Sequence, residues 1–324
     1  MKASEFWPTL PTGPGPERDA RILEAVRQGL YVPITWAVVA IDLGKYHAEI
    51  GLSSDAFRLG EFGDAWRIPV TPISAQQIAD ELSTNQGIPC VLPTAFLDDV
   101  AWNNAASRIA PHPMVFNDAD RRLMATTAYS VQHSHWIDEQ ADAKGHQEGF
   151  LIRNVGKIWA NTAQLWFRDD GAQRGANYGW HYAEQRPETN RAVTTFGGWT
   201  IQPLAFKHDT GHTDYSQTLT LVADAVVLTD RESGETGLVS LSSAALEKDL
   251  CGLFSHEGPL VMRHPAVGCI ENQETGEHPP GCPVPWKIPG GAPAVAAIPT
   301  WKRVLPVAVA AVGIGVAAYL LRKG

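Results

Sequence analysis

The residue types able to move a proton or hold a metal ion gather in three short stretches. They are Asn177-Tyr178-Gly179-Trp180-His181, the run His208-Asp209-Thr210-Gly211-His212-Thr213-Asp214-Tyr215-Ser216-Gln217, and Ser255-His256-Glu257-Gly258. Imidazole titrates near neutrality, so His212 or His208 beside Asp209 or Asp214 has the makings of a general base, with Ser216 or a water as the nucleophile. The same groups allow a metal reading. His208 and His212 would be ligands of zinc or a similar divalent ion, with His181 or Asp214 as the third and water in an open position. Histidines at i and i+4 share a helix face, but Gly211 and the strand-like approach Leu204-Ala205-Phe206 mark this segment as a loop, and the Glu of an H-E-x-x-H pair is missing.

Against both stands a structural reading. Asp214, Tyr215 and Ser216 would close a turn, His181 and Tyr178 would satisfy buried backbone groups, and Trp180 would be core. Glu257 reads as a solvated loop residue and Cys251 as a core thiol rather than a nucleophile. No G-x-S-x-G elbow surrounds Ser216, and there is no Walker, dinucleotide-binding, kinase, EF-hand or zinc-finger pattern. In its Asn-Tyr-Gly-Trp-His stretch at 177–181 and its His-x-Asp-Tyr-Ser-Gln stretch at 212–217, the chain resembles a loose group of uncharacterised bacterial proteins, with weaker likeness from about Tyr31 to Leu260. The resemblance marks these positions as a shared signature and implies no activity.

The elements that must position these side chains follow from periodicity. Arg18–Leu30 carries Ile22, Leu23, Val26 and Leu30 at helical spacing, ended by Gly29 and Pro33. Trp36–Asp42, His47–Leu52 and Trp66–Val70 read as strands of a small antiparallel sheet. Ser74 and Gln77 form a capping-box pattern for a helix over 75–82. Asn117 or Asp118 would cap a polar surface helix through Leu123 to about Gln140. From Phe150 onward, Phe150–Arg153, Lys157–Asn161, Gln164–Arg168, Trp199–Phe206 and Thr218–Leu228 have the aromatic and β-branched texture of a second sheet. Ser243–Leu250 reads as a short helix that Gly252 ends. Antiparallel pairing in the second sheet would bring His181, His208, His212 and Asp214 into one pocket.

Composition narrows the function. Up to Trp301 the chain has 22 basic against 35 acidic residues, a formal −13, which opposes non-specific nucleic-acid binding. Four widely spaced cysteines do not make a disulfide framework; Cys269 and Cys282 either pair in an oxidising compartment or stay reduced. Residues 1–20, with Pro8, Pro11, Pro14 and Pro16, read as an extended arm without a secretory core. Residues 269–300 are a Pro/Gly-rich linker. Val304–Leu321 is uncharged for 18 residues, bracketed by Lys302, Arg303, Arg322 and Lys323, and would span about 27 Å as a helix.

The expected architecture is therefore α+β, with mixed or antiparallel sheets and peripheral helices over 21–268, with or without two subdomains split near 145. One C-terminal transmembrane helix within 301–324 completes it. Without an export signal, the body is expected in the cytoplasm, held at the membrane through 304–321, where Ala311 and Gly315 would allow close self-association. Two function classes follow: a membrane-tethered hydrolase acting on a peptide or envelope polymer, or a non-catalytic structural or assembly protein of a cell envelope or virion.

Overall fold

The computed structural model describes residues 1–113, 123–185 and 196–267. The expected linker, the Cys269–Cys282 pair and the anchor at 304–321 lie outside them. Among the described residues no helix is long and apolar enough to cross a membrane.

The architecture is mixed α+β, with antiparallel sheets and helices packed around them. The largest sheet is built from both halves of the chain. Its strands β1 (Trp36–Leu43) and β2 (Tyr46–Ser53) form a hairpin closed at Gly44, whose φ of 55° suits the tight turn. Much later in the sequence come β11 (Val222–Asp230) and β12 (Thr236–Val239), giving the order β1-β2-β11-β12, and β5 (Cys90–Val91) also pairs with β11. Two small pairs flank it: β3 (Arg58–Glu61) with β4 (Asp64–Arg67), antiparallel, and β6 (Ser107–Arg108) with β7 (Ile152–Arg153), parallel. The second sheet, in the order β10-β9-β8, comprises β8 (Lys157–Trp159), β9 (Arg174–Tyr182) and β10 (Trp199–Asp209).

The helices seal two apolar clusters. In the first, Phe96, Leu97, Val100 and Ala101 of α4 (Ala95–Asn104) pack on the inner face of the large sheet with Ile50, Leu52 and Val226. In the second, Ile22 and Val26 of α2 (Pro16–Arg27) meet Ile78 and Leu82 of α3 (Pro72–Thr84). Each of these fully buried aliphatic side chains contributes roughly 1.5–3 kcal/mol. The start of the chain docks on this cluster. Residues 1–20 are not an extended arm, since α1 (Ala3–Phe6) and a 3-10 turn at Trp7–Thr9 bury Ala3 and Leu10 there.

Several local expectations change. The cap of α3 is Thr71, whose hydroxyl accepts from the Ser74 amide, with Pro72 in the first turn; a pre-set proline φ starts the helix earlier than the Ser74–Gln77 pattern would. Gln164–Phe167 is the helical turn α6 rather than a strand. Helix α5 (Thr127–Ala143), capped by Thr126, turns polar residues inward: Ser130, His133 and Ser134 are buried, and the Ser134 hydroxyl accepts from the Arg67 amide at 3.0 Å. The last helix, α7 (Leu241–Ala244), is capped by Ser240. Glu257 is not merely solvated. Its carboxylate takes the Thr162 hydroxyl, the Ala163 amide and the Gln164 side chain, all within 2.7–2.8 Å, and pins the start of α6.

Candidate functional site

The second sheet carries the candidate chemistry on its two faces. Its register sets Lys157 opposite Gly179 and Gly179 opposite Gln202, Trp159 opposite Asn177, and Gly175 opposite His208. Along the free edge of β8 runs the segment 216–218, tied by Lys157 N to Ser216 O and by Thr218 N to Lys157 O, with Lys157 and Gln217 as bridge partners. Register partners share a face. Lys157, Trp159 and His208 thus line one side, and the Trp159 and His208 rings meet edge-on at 6.4 Å.

On this face the 208–217 loop folds back on itself. The His208 and His212 rings lie flat on each other, with centroids 3.8 Å apart and planes 9° from parallel. His212 Nε2 stands 3.7 Å from Asp214 Oδ2. Asp214 Oδ1 accepts from both the amide and the hydroxyl of Ser216, and the Asp214 amide donates to Gln217 Oε1 at 2.6 Å. These local bonds are an Asx-type turn, as the structural reading expects, and they also fix the carboxylate. Burial works to raise the pKa of Asp214, but His212, Lys157 and Ser216 outweigh it and hold this carboxyl well below the usual range. Burial, with His212 and Lys157, pushes His208 down to about 4, so its imidazole is neutral at pH 7. The side chain of His212 is 31% exposed and that of Asp214 only 3%, an open imidazole over a closed carboxylate.

An aromatic wall completes the face. His133 of α5 touches Tyr215 at 4.9 Å and Trp136 at 6.1 Å, and Trp180 lies 6.1 Å from Tyr215. Burial, then the Arg67 charge, holds His133 at about 3. Lys157 places its ammonium 5.2 Å from the Trp180 ring centroid; burial lowers its pKa, against the pull of Asp214.

His181 stands in a different cluster. Strict alternation would put residues 178 and 181 on opposite faces of β9, but positive φ at Gly179 (124°) and Trp180 (60°) breaks the alternation. Tyr178 and His181 therefore converge on one oxygen of Asp99 in α4: the Tyr178 hydroxyl donates at 2.6 Å and His181 Nε2 lies at 2.8 Å. Asp98 Oδ2 is 4.0 Å from His181 Nδ1 and Asp98 Oδ1 is 4.0 Å from Arg153 Nε, while Trp102 stacks on the imidazole at 5.4 Å. Burial pushes the Asp98 carboxyl up, and Asp99 adds to it. Every one of these side chains is buried. An aromatic residue at φ 60° costs on the order of 1–3 kcal/mol, so the local packing must hold Trp180 there.

The structure thus brings together His208, His212, Asp214 and Ser216 and sets His181 apart. That separates the expected ligand set His181, His208 and His212, and among the described residues no group of three His, Cys, Asp or Glu side chains is arranged to hold a metal ion. Geometry gives the reason for the remaining pair. Imidazole lone pairs lie in the ring plane, and two face-stacked rings aim them in parallel rather than at one point. Ser216 also departs from its expected role as nucleophile. The residue is 1% exposed and its hydroxyl donates to Asp214, so it positions the carboxylate.

Sequence reasoning missed Lys157, His133 and the Asp98–Asp99 pair. The pair left a signal: two adjacent acids inside Phe96-Leu97-Asp98-Asp99-Val100-Ala101-Trp102, an otherwise apolar helix, are costly unless they meet partners. Compared with known proteins, the chain matches no family model, no curated protein and no solved structure. The class that the site defines is then chemical: a half-buried imidazole backed by a buried, fixed carboxylate, beside an aromatic wall.

Proposed function

We propose that this protein is a hydrolase of peptides or an envelope polymer, held to a membrane through residues 304–321, in which His212 activates a water molecule. The supporting observation is the His212–Asp214 relationship: Nε2 faces a carboxylate 3.7 Å away that Ser216 holds in place, and the imidazole as a whole is 31% exposed. His212 takes a proton as the water oxygen attacks the acyl carbon, and Asp214 stabilises the imidazolium. As the tetrahedral adduct collapses, the bond to the leaving amine breaks and the imidazolium returns the proton to its nitrogen. No side-chain nucleophile is required.

The test is hydrolysis of fluorescently labelled peptides and of isolated envelope polymer by the full chain and by His212→Ala and Asp214→Asn. Loss of one general base is expected to cut the rate by about 10²–10⁴-fold with an unchanged melting temperature. Turnover that survives His212→Ala, or a wild-type protein inert on both substrates, would overturn the reading. The non-catalytic assembly role would then stand, a role for which the burial of His181 with Asp98, Asp99 and Trp102 is the supporting observation.

A further inference from the structure

Lys157 lies beside Asp214 on the His212–Asp214 face and, among the described residues, lacks a carboxylate at ion-pair distance. Several other cations are answered: Arg67 bonds Asp55 at 2.7 Å and Asp138 at 2.6 Å, Arg263 grips Asp80, and Lys45 pairs with Asp230 at 3.0 Å. Among the described residues Lys157 Nζ has neither a carboxylate at ion-pair distance nor a hydrogen-bond acceptor; its contact is the Trp180 ring. Asp214 is the nearest candidate, but both its oxygens are turned to Ser216 and His212.

The neighbouring donors are unmatched as well. Trp180 Nε1 and Gln217 Nε2 are buried without an acceptor, and Gln217 is the bridge partner of Lys157. Asn177, two register pairs along the ladder from Gly179 and so on the same face, has an unmatched side-chain amide too. A buried donor without an acceptor is costly, so unmatched donors on the residues next to Lys157 favour a ligand that brings acceptors and negative charge together. A carboxylate has about four lone-pair sites and does both.

We infer that Lys157, with Trp180 and Gln217, forms a carboxylate-binding subsite, so that the substrate is a chain carrying a free carboxylate next to the bond that His212 and Asp214 address. This rests on the hydrolase reading for its consequence, but not for its binding chemistry. Burial of the lysine fits the same picture, because a desolvated ammonium gains more from an incoming anion than one that stays in water.

Binding is measured by calorimetry on full-length protein carrying His212→Ala, which removes turnover, using N-acetyl-trialanine and its C-terminal amide as probes. The acid is expected to bind at least tenfold more tightly than the amide; Lys157→Met should erase the difference and Lys157→Arg should retain part of it. The acid-to-amide ratio with Lys157 intact is the primary readout, so a variant that fails to fold leaves the test standing. Equal affinity for the two probes, or binding of neither, overturns the subsite. Acid-selective binding in a protein whose wild type hydrolyses neither probe keeps the subsite and sinks the hydrolase reading, whereas hydrolysis without acid preference does the reverse.

Discussion

Asn154 holds His181 by its backbone, its side-chain amide donating to the His181 carbonyl at 2.8 Å and its side-chain oxygen accepting from the His181 amide at 2.8 Å. It acts as a one-residue strand partner, and the same amide also donates to the Ile109 carbonyl at 2.9 Å. Asn154 itself has φ 68°, a left-handed conformation that asparagine tolerates better than most residues.

Asn154→Ala removes three buried hydrogen bonds and strains the new residue, so it should destabilise the fold by about 2–4 kcal/mol in urea unfolding. Asn154→Gly relieves only the strain and should recover less than half of that. A loss below 1 kcal/mol for the alanine variant would show that β9 holds its bend without the clamp.

His133 makes stability depend on pH. Its folded value near 3 lies below the ordinary 6.5, so the folded state takes up its proton later than the unfolded chain. The contribution is complete above 6.5 and is lost as pH falls from 6.5 towards 3. His133→Phe keeps the aromatic wall and removes the titration. Relative to wild type, the variant should gain about 2 kcal/mol on moving from pH 7 to pH 4.5, read from paired urea midpoints. A constant difference across that range would count against a neutral buried imidazole.

Ser216 separates the two acid–base schemes. As a support of Asp214, it should tolerate Ser216→Ala with a rate loss of roughly tenfold, while a nucleophile would lose 10²-fold or more and leave an acyl-enzyme on the wild type. Mass spectrometry of the wild type after a short reaction should show no covalent adduct on Ser216.

Truncation before Trp301 tests the tether. The shortened chain should leave the membrane fraction and keep the circular dichroism of an α+β body, whereas identical partitioning of truncated and full-length protein would remove the anchor.

Much of the frame was legible because its causes are local. Runs of apolar, β-rich residues between turn residues marked β1 and β2, and the 3.6-residue spacing of Ile22, Leu23 and Val26 marked α2 up to Gly29, whose φ is 71°. Gln164–Phe167 misled because aromatic content speaks for burial in a strand or a helical turn alike. The inward polar face of α5 was not legible either, since periodicity reports which residues are apolar and not whether the opposing surface, here Arg67 and Tyr215, is polar.

The site divides in the same way. His208, His212, Asp214 and Ser216 lie within nine positions, so a single turn with short-range hydrogen bonds suffices to gather them, and the sequence alone determined that grouping. Where His181 would point was decided by tertiary structure. Two positive φ angles at Gly179 and Trp180 turn it to the other face of the sheet, onto Asp99 of α4, 82 residues away in the chain. Lys157 likewise acquired its place only when segment 216–218 paired along β8. Spacing constrains neighbours a few bonds apart; which face of a sheet a side chain takes, and which distant carboxylate it meets, depends on backbone torsions and packing that no single-sequence period encodes.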